Sequence, residues 1–443
     1  MIKNQIITGK CLDYTFDGLG VVKYDTFCVF VKGMLIGEEG EIIITLVKKN
    51  FAYGRLLKLT ITSAERVIPV CSVSKGCGGC QLQHMSYAHQ LQFKKNIVEN
   101  DIRNIAHLDK EVMPVIAMEK PYGYRNKVIL PVQLNKNGQT EIGFYRYNSH
   151  NIIPIDNCYL QSEVSNRLID KVRELLDNYK LTTLIKHLMI REMFRTQQVM
   201  LVFVCYRKDV NSFKNIVKDI VAFEPRIKSI VLNVNAADTN VVLGKEDYLL
   251  YGEEHVIDDL CGLKFKISAH SFYQVNTYQT EKLYNLAIKI AGLTEKDDIL
   301  DLYCGVGTIG LAASKYVKKV TGVEIVQQAI IDAKENARIN GIENVEFICG
   351  DAQKVTQQFQ SENKHFSCIF VDPPRKGCSN ETIQTLINLQ SDKIVYISCQ
   401  PSTLARDLAM LKEHYNVEKI QPVDMFPQTY HVETVCLLSR KDK

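Results

Sequence analysis

The period of the hydrophobic pattern changes along the chain, and the changes mark its parts. Up to about residue 62 short alternating runs, Ile6–Leu12, Gly20–Lys23, Phe27–Val31, Glu41–Val47 and Tyr53–Thr60, are separated by Gly18, Gly33, Gly37 and Gly40. Five short strands with little room for helix predict a small barrel of OB type. Residues 63–83 read as a cysteine-bearing loop, and an amphipathic helix is predicted near Tyr87–Asn104. A mixed, mostly strand-like stretch follows to about residue 265, with alternating segments Lys127–Leu134, Glu141–Tyr147 and Val199–Tyr206 and a helix near Ser162–Tyr179. From about 268 the order becomes strand, glycine loop, helix, strand, helix, repeated. That alternation calls for a parallel sheet covered by helices. The expected division is therefore 1–62, 63–266 and 267–443, with an α/β domain last.

Composition sharpens this picture. A length of 443 residues suits several cores, and 46% hydrophobic residues can fill them. No apolar run approaches the length of a membrane span, and the start Met1-Ile-Lys-Asn lacks the features of a secretory signal. A cytoplasmic protein without a membrane partner is expected. The 14 cysteines are then read as metal ligands, nucleophiles or core thiols rather than disulfides. A net charge of +4 permits local nucleic-acid-binding patches without arguing for them. Lys10, Lys23, Lys32, Lys48, Lys49 and Arg55 are scattered through the barrel with Phe16, Phe30 and Tyr53. These suit single-stranded RNA, or a solvated surface over an aromatic core.

The C-terminal third carries a glycine loop. Asp298–Tyr303 reads as a buried strand, Gly305-Val-Gly307-Thr-Ile-Gly310 follows, and Glu324 ends the next strand. Glycines let backbone approach a ligand at a helix start, while the acid meets a ribose hydroxyl. Letter by letter this also fits an NAD-dependent dehydrogenase. Two features favour S-adenosylmethionine: the approach Asp301-Leu-Tyr303-Cys304, and the continuation through Asp351 to Asp372-Pro-Pro-Arg375. Those acids fall at the carboxyl edge of a parallel sheet, where ligands bind.

Lys393–Ser398 is a further strand that ends in Cys399. A helix start after it, with Ser402 as a cap, is expected to stabilise the thiolate. His431-Val-Glu433 precedes a last strand, Val435–Ser439, which can return Glu433 toward Cys399. A thiolate and a carboxylate beside a methyl donor fit pyrimidine C5 chemistry, with Cys399 adding to C6, Glu433 removing the C5 proton and Asp372 holding the ring. Cys304, Cys349 and Cys368 are expected in the core, and His431 as a hydrogen-bonding neighbour. Far upstream, Cys71, Cys77 and Cys80 crowd a glycine-rich loop, and Cys158 is the best candidate for a fourth ligand. Four thiolates suit zinc or a [4Fe–4S] cluster.

Taken in order, the cysteine loop through His84, Ser271-Phe-Tyr-Gln274-Val-Asn276, Asp301-Leu-Tyr-Cys-Gly305, Gly322-Val-Glu324, Asp372-Pro-Pro-Arg375, Ser398-Cys399 and His431-Val-Glu433 give the chain its likeness. It resembles the RNA (uracil-5-)-methyltransferase family in its 23S ribosomal RNA branch, over nearly its whole length. The resemblance implies a Rossmann-like methyltransferase domain behind a TRAM barrel and a strand-rich central domain with an iron–sulfur loop. It implies S-adenosylmethionine contacts from Gln274, Tyr303, Glu324 and Asp372, with Asp351 near the adenine and Gly305 and Gly307 in the loop. It further implies Cys399 as nucleophile, Glu433 as proton acceptor, and Cys71, Cys77, Cys80 and Cys158 as [4Fe–4S] ligands. The partner would be large-subunit ribosomal RNA presenting a flipped uridine to a monomeric enzyme. Part of 84–115 would pack on the catalytic domain. Transfer RNA as substrate, and an inactive RNA-binding iron–sulfur protein, are the competing readings. Thr308 stands where some relatives carry asparagine, so no side-chain contact is assigned there.

Overall fold

The computed structural model describes residues 1–147, 149–239 and 241–441. The N-terminal alternating runs become β1 (Ile6–Tyr14), β2 (Leu19–Tyr24), β3 (Phe27–Lys32), β4 (Glu39–Val47) and β5 (Phe51–Ile61), closed into a barrel in the order β1-β2-β3-β5-β4. β1 closes the ring against β4, and β3 runs parallel to β5. The period of two sends Ile7, Val22, Val29, Val31, Ile42 and Ile44 inward. That core is aliphatic; Phe16 and Tyr53 lie on the surface, 64% and 37% exposed.

Helix α1 (Tyr87–Asn104) starts at Ser86, whose hydroxyl accepts the His89 N–H. Its first turns pack on the barrel and the cysteine loop through His89 and Phe93, and its later turns leave these sequence neighbours. Val98 and Ile102 enter the core on one face of the C-terminal sheet. The Met113 and Ile116 N–H groups then donate to the Ile420 and Pro422 carbonyls at 3.0 and 2.9 Å, beside that sheet's edge. The Lys94 ammonium, wholly buried, meets the equally buried Asp424 carboxylate at 2.5 Å and donates to the Phe426 carbonyl at 3.0 Å. Asp424 also accepts from the Tyr87 hydroxyl at 2.8 Å. Removing one member of a buried pair strands the other charge. Asp424→Ala is therefore expected to cost ~3–5 kcal/mol in urea unfolding, with much of the loss recovered when Lys94→Met is added.

The central sheet contains β6 (Lys127–Leu134), β7 (Thr140–Tyr145), β8 (Ile152–Pro154), β9 (Ile185–Glu192), β10 (Val199–Cys205), β11 (Ile227–Val234) and β12 (Glu246–Gly252) in the order β12-β11-β10-β9-β6-β7-β8. Helices α2 (Glu163–Tyr179) and α3 (Lys214–Phe223) cover one face with Leu168, Val172, Leu176, Ile216 and Ile220. The other face, through Met189, Met200, Val202 and Val204, shares a core with the hairpin β13 (His255–Leu260) and β14 (Leu263–Ser268) and with the C-terminal domain. The two domains are thus joined by common hydrophobic packing rather than by a linker alone.

The C-terminal domain begins with α4 (Thr277–Ala291) and continues β15 (Asp298–Leu302), α5 (Thr308–Ala313), β16 (Lys319–Glu324), α6 (Gln327–Ile339), β17 (Val345–Cys349), α7 (Ala352–Ser361), β18 (Cys368–Val371), α8 (Asn380–Leu389), β19 (Lys393–Ser398), α9 (Pro401–Leu411), β20 (Tyr415–Val423) and β21 (Glu433–Arg440). The sheet order is β17-β16-β15-β18-β19-β21-β20. Pairings from β17 to β19 are parallel, and β21 enters antiparallel between β19 and β20. The order reverses between β15 and β18, which opens a crevice at the carboxyl ends of the strands. Cys304 and Cys368 are buried as expected, but Cys349 is exposed, because it ends edge strand β17. Among the described residues, no helix is long and apolar enough to cross a membrane.

Candidate active site

The crevice is a cavity of about 920 Å³ whose wall includes Gln274, Tyr303, Gly305, Glu324, Asp351, Asp372, Cys399 and Glu433. Gly307 is not itself part of this wall, although its neighbours Val306 and Thr308 are. Its φ of +82° belongs to the left-handed region, and a Cβ there would sit 2.8 Å from the Phe347 ring. Glycine therefore suits this position on both counts. Gly310 donates its N–H to the buried Asp301 carboxylate at 2.8 Å, which ties the start of α5 to β15. Burial pushes Asp301 up to about 7, against the pull of that N–H. Tyr303 itself lies at φ +64°, at the turn out of β15.

Glu324 leaves β16 at the next strand end. Its two carboxylate oxygens accept the Gly305 and Val326 N–H groups at 3.2 and 3.0 Å, which fixes its orientation while leaving lone pairs for hydroxyl donors. Asp351 caps α7 by accepting the Lys354 N–H at 3.2 Å. The Thr308 hydroxyl, on the cavity wall, is engaged by the Tyr284 hydroxyl at 3.1 Å.

The other end of the cavity is set by strand register. Ser398 of β19 pairs with Thr434 of β21, so the next positions along, Cys399 and Glu433, face each other across the strand ends. Asp372, one residue beyond β18, completes the group. Burial pushes Glu433 up to about 8, with Asp372 adding to the rise and Arg375 opposing it. Burial likewise brings Asp372 up to about 7. Cys399 is pushed up to about 11 by burial, then by the carboxylates of Glu433 and Asp372, with Arg375 opposing. The expectation of a resting thiolate at a helix start is thus reversed: two carboxylates and burial outweigh the helix. Ser402 does not cap α9 either; Gln400 is its N-cap and Pro401 opens the helix. His431, lowered to about 4 by burial and nearby Arg375, is a neutral ring on the cavity wall.

A second cavity, of about 270 Å³, is lined by Cys71, Cys77, Cys80 and Cys158. All four are free thiols, and burial pushes Cys80 up to about 12, with Cys158 and Cys77 near enough to add to the shift. Among the described residues no group of three or more His, Cys, Asp or Glu side chains is placed to hold a metal ion. Arg125 and Lys127 line both cavities. Burial, with Arg191 and Arg125 beside it, brings Lys127 down to about 8. Sequence reasoning assigned no role to these two cations. Their one signal was a pair of basic residues two apart entering a strand, which any surface strand shows.

Residues 86–441 match the family described as tRNA (Uracil-5-)-methyltransferase. An RNA methyltransferase of Staphylococcus aureus (strain MRSA252) is 43% identical over 448 aligned residues, covering 99% of each chain. Another, from Clostridium tetani, is 43% identical over 95% of this chain and 94% of its own. Among solved structures, the tRNA (uracil-54, C5)-methyltransferase of Pyrococcus abyssi in complex with S-adenosyl-L-homocysteine superposes with a TM-score of 0.77 at 30% identity, covering 97% of this chain and 99% of that one. The chain belongs to the RNA uracil-5-methyltransferase family and is an S-adenosylmethionine-dependent RNA methyltransferase.

Proposed function

We propose that the enzyme methylates C5 of a uridine in 23S ribosomal RNA through covalent addition of Cys399 to C6. The observation that carries this is the meeting of Cys399, Glu433 and Asp372 at one end of the cavity whose other end holds Tyr303, Glu324 and Asp351. Gln274, Tyr303, Gly305, Glu324 and Asp351 would hold S-adenosylmethionine at that other end, and it would supply the methyl group and leave as S-adenosylhomocysteine. The uridine must leave its stack to reach the thiol. As the sulfur bonds to C6, the thiol proton passes to Asp372, which then donates to the O4 where the enolate charge develops. A carboxyl held at about 7 can make that exchange near neutral pH. C5 of the enolate takes the methyl group as the carbonyl re-forms. Glu433 then removes the C5 proton, the C6–S bond breaks, and the thiolate recovers its proton from Asp372.

The choice of ribosomal RNA rests on the likeness of the cysteine loop and barrel to that branch. The Pyrococcus abyssi relative, a tRNA methyltransferase by its description, favours tRNA as the second reading. Methyl incorporation into purified large-subunit RNA and bulk tRNA separates them. Labelling of the large-subunit RNA is expected, and labelling confined to tRNA would refute that choice.

The thiol-lined cavity is read as the seat of a [4Fe–4S] cluster. Four thiolates suit zinc as well as a [4Fe–4S] cluster, and the likeness of the cysteine loop to the ribosomal RNA branch favours the cluster. Binding would deprotonate them, and Arg125 and Lys127 beside the cavity would offset the added negative charge. Protein purified without oxygen is expected to carry about four iron and four sulfide per chain, with broad visible absorption that Cys80→Ser removes. Stoichiometric zinc without iron would contradict it.

A further inference from the structure

The catalytic cavity has an aromatic edge that methyl transfer itself does not use. Phe426 and His431 lie on its wall. The His431 ring stands 6.0 Å from that of Phe426 and 4.3 Å from that of Tyr430, centre to centre. Tyr430 in turn meets Phe16 of the barrel edge-on, at 6.3 Å and 88°. Four rings therefore lead from inside the cavity to the barrel surface, and the last of them, on the turn between β1 and β2, is 64% exposed.

This line is firmly mounted. Tyr430 packs against Leu35, Leu82, Met85 and Phe93, a cluster drawn from the barrel, the cysteine loop and α1. The Tyr14 hydroxyl bonds the His89 ring at 2.8 Å and accepts the Ile36 N–H at 2.9 Å, which locks the barrel to α1. The Thr15 hydroxyl accepts the Leu19 N–H at 2.9 Å and holds the turn that carries Phe16. A single exposed aromatic residue is ordinary on a protein surface. This one continues an aromatic path out of a cavity that receives an RNA base.

We propose that Phe16, backed by Tyr430, is a stacking platform for the base adjoining the uridine that enters the cavity. Flipping the uridine leaves a face of its neighbour bare, and aromatic side chains readily take up unstacked bases of single-stranded RNA. The proposal rests on the reading that the target base sits beside Cys399. Its occupant is RNA because the platform is continuous with that base's cavity.

The test uses the full-length enzyme and whichever RNA the wild type methylates. Phe16→Leu keeps apolar bulk without a ring, and Phe16→Tyr keeps the ring. Phe16→Leu is expected to raise KM for RNA by about 5- to 150-fold, with kcat within about twofold and S-adenosylmethionine affinity unchanged. Phe16→Tyr should restore the wild-type KM. With 2-aminopurine placed at each neighbour of the target in turn, one position should be quenched by wild type and by Phe16→Tyr but not by Phe16→Leu. A wild-type KM and normal quenching in Phe16→Leu would overturn the platform, as would equal damage from leucine and tyrosine. Covalent adduct formation at Cys399, measured on the same RNA, reports separately on the reading beneath it.

Discussion

Replacing Cys399 by alanine is expected to lower kcat for RNA methylation on the order of 10⁴-fold or more, while S-adenosylmethionine binds as in wild type. The size follows from the chemistry. Uracil C5 is a poor nucleophile toward a methyl sulfonium, and only addition at C6 turns it into an enolate carbon. Without the sulfur, the remaining groups can orient the two reactants but cannot change the electronic character of C5. Single-turnover methyl transfer and calorimetry on the same preparation separate the two effects. Cys399→Ser should fare little better, since a hydroxyl is a far weaker nucleophile than a thiol. Undiminished turnover in Cys399→Ala would remove the covalent mechanism. The thiol is raised to about 11, so the resting enzyme holds Cys399 protonated. Nonspecific alkylation near neutral pH should consequently be slow.

Glu433→Gln is expected to reduce turnover by about 10²–10⁴-fold and to accumulate a methylated RNA–protein adduct rather than free enzyme. Addition and methyl transfer do not need Glu433 as a base, whereas elimination does. The adduct should survive denaturing gel electrophoresis and carry label from the methyl group. Wild-type kcat should rise with pH as Glu433 loses its proton through about 8. The glutamine variant should lack that limb. The same carboxyl also bears on stability. Its folded-state pKa lies above the ordinary value, so the folded form holds the extra proton, and that stabilisation is present below about pH 4.5 and lost as pH rises through about 8. Glu433→Gln should therefore raise Tm relative to wild type in alkaline buffer and make little difference in acid. Equal Tm differences at both ends of the range would contradict the buried-carboxyl account.

Much of the architecture is visible in the chain because the local signals are strong. Lys127–Leu134 and Lys393–Ser398 are alternating or apolar runs bounded by breakers, and both strands have those ends. The glycine loop likewise announces its turn through residues that tolerate left-handed backbone. The barrel's five strands are legible from their spacing, although whether its aromatics lie inside or outside is decided by register. What local pattern cannot carry is pairing between distant segments. The placement of α1 against the C-terminal sheet, with Val98 and Ile102 in its core and Lys94 meeting Asp424, and the insertion of β21 between β19 and β20 join segments far apart in the chain. That insertion brings Glu433 to Cys399. Electrostatics are hidden for the same reason: the helix start beside Cys399 predicts a thiolate, and the burial and two carboxylates that reverse this come from distant segments. Arg125 and Lys127 went unassigned because their interest lies in sitting between two cavities, and a cavity has no signature in a linear pattern.

The central claim is that Cys399 bonds to the uridine and Glu433 then frees it. Mass spectrometry of the full-length enzyme mixed with S-adenosylmethionine and large-subunit RNA containing 5-fluorouridine tests it most directly. Fluorine at C5 blocks proton removal after methyl transfer, so the account predicts a stable methylated adduct that maps to Cys399. An enzyme that methylates the unsubstituted RNA yet forms no adduct with the fluorinated one would contradict it.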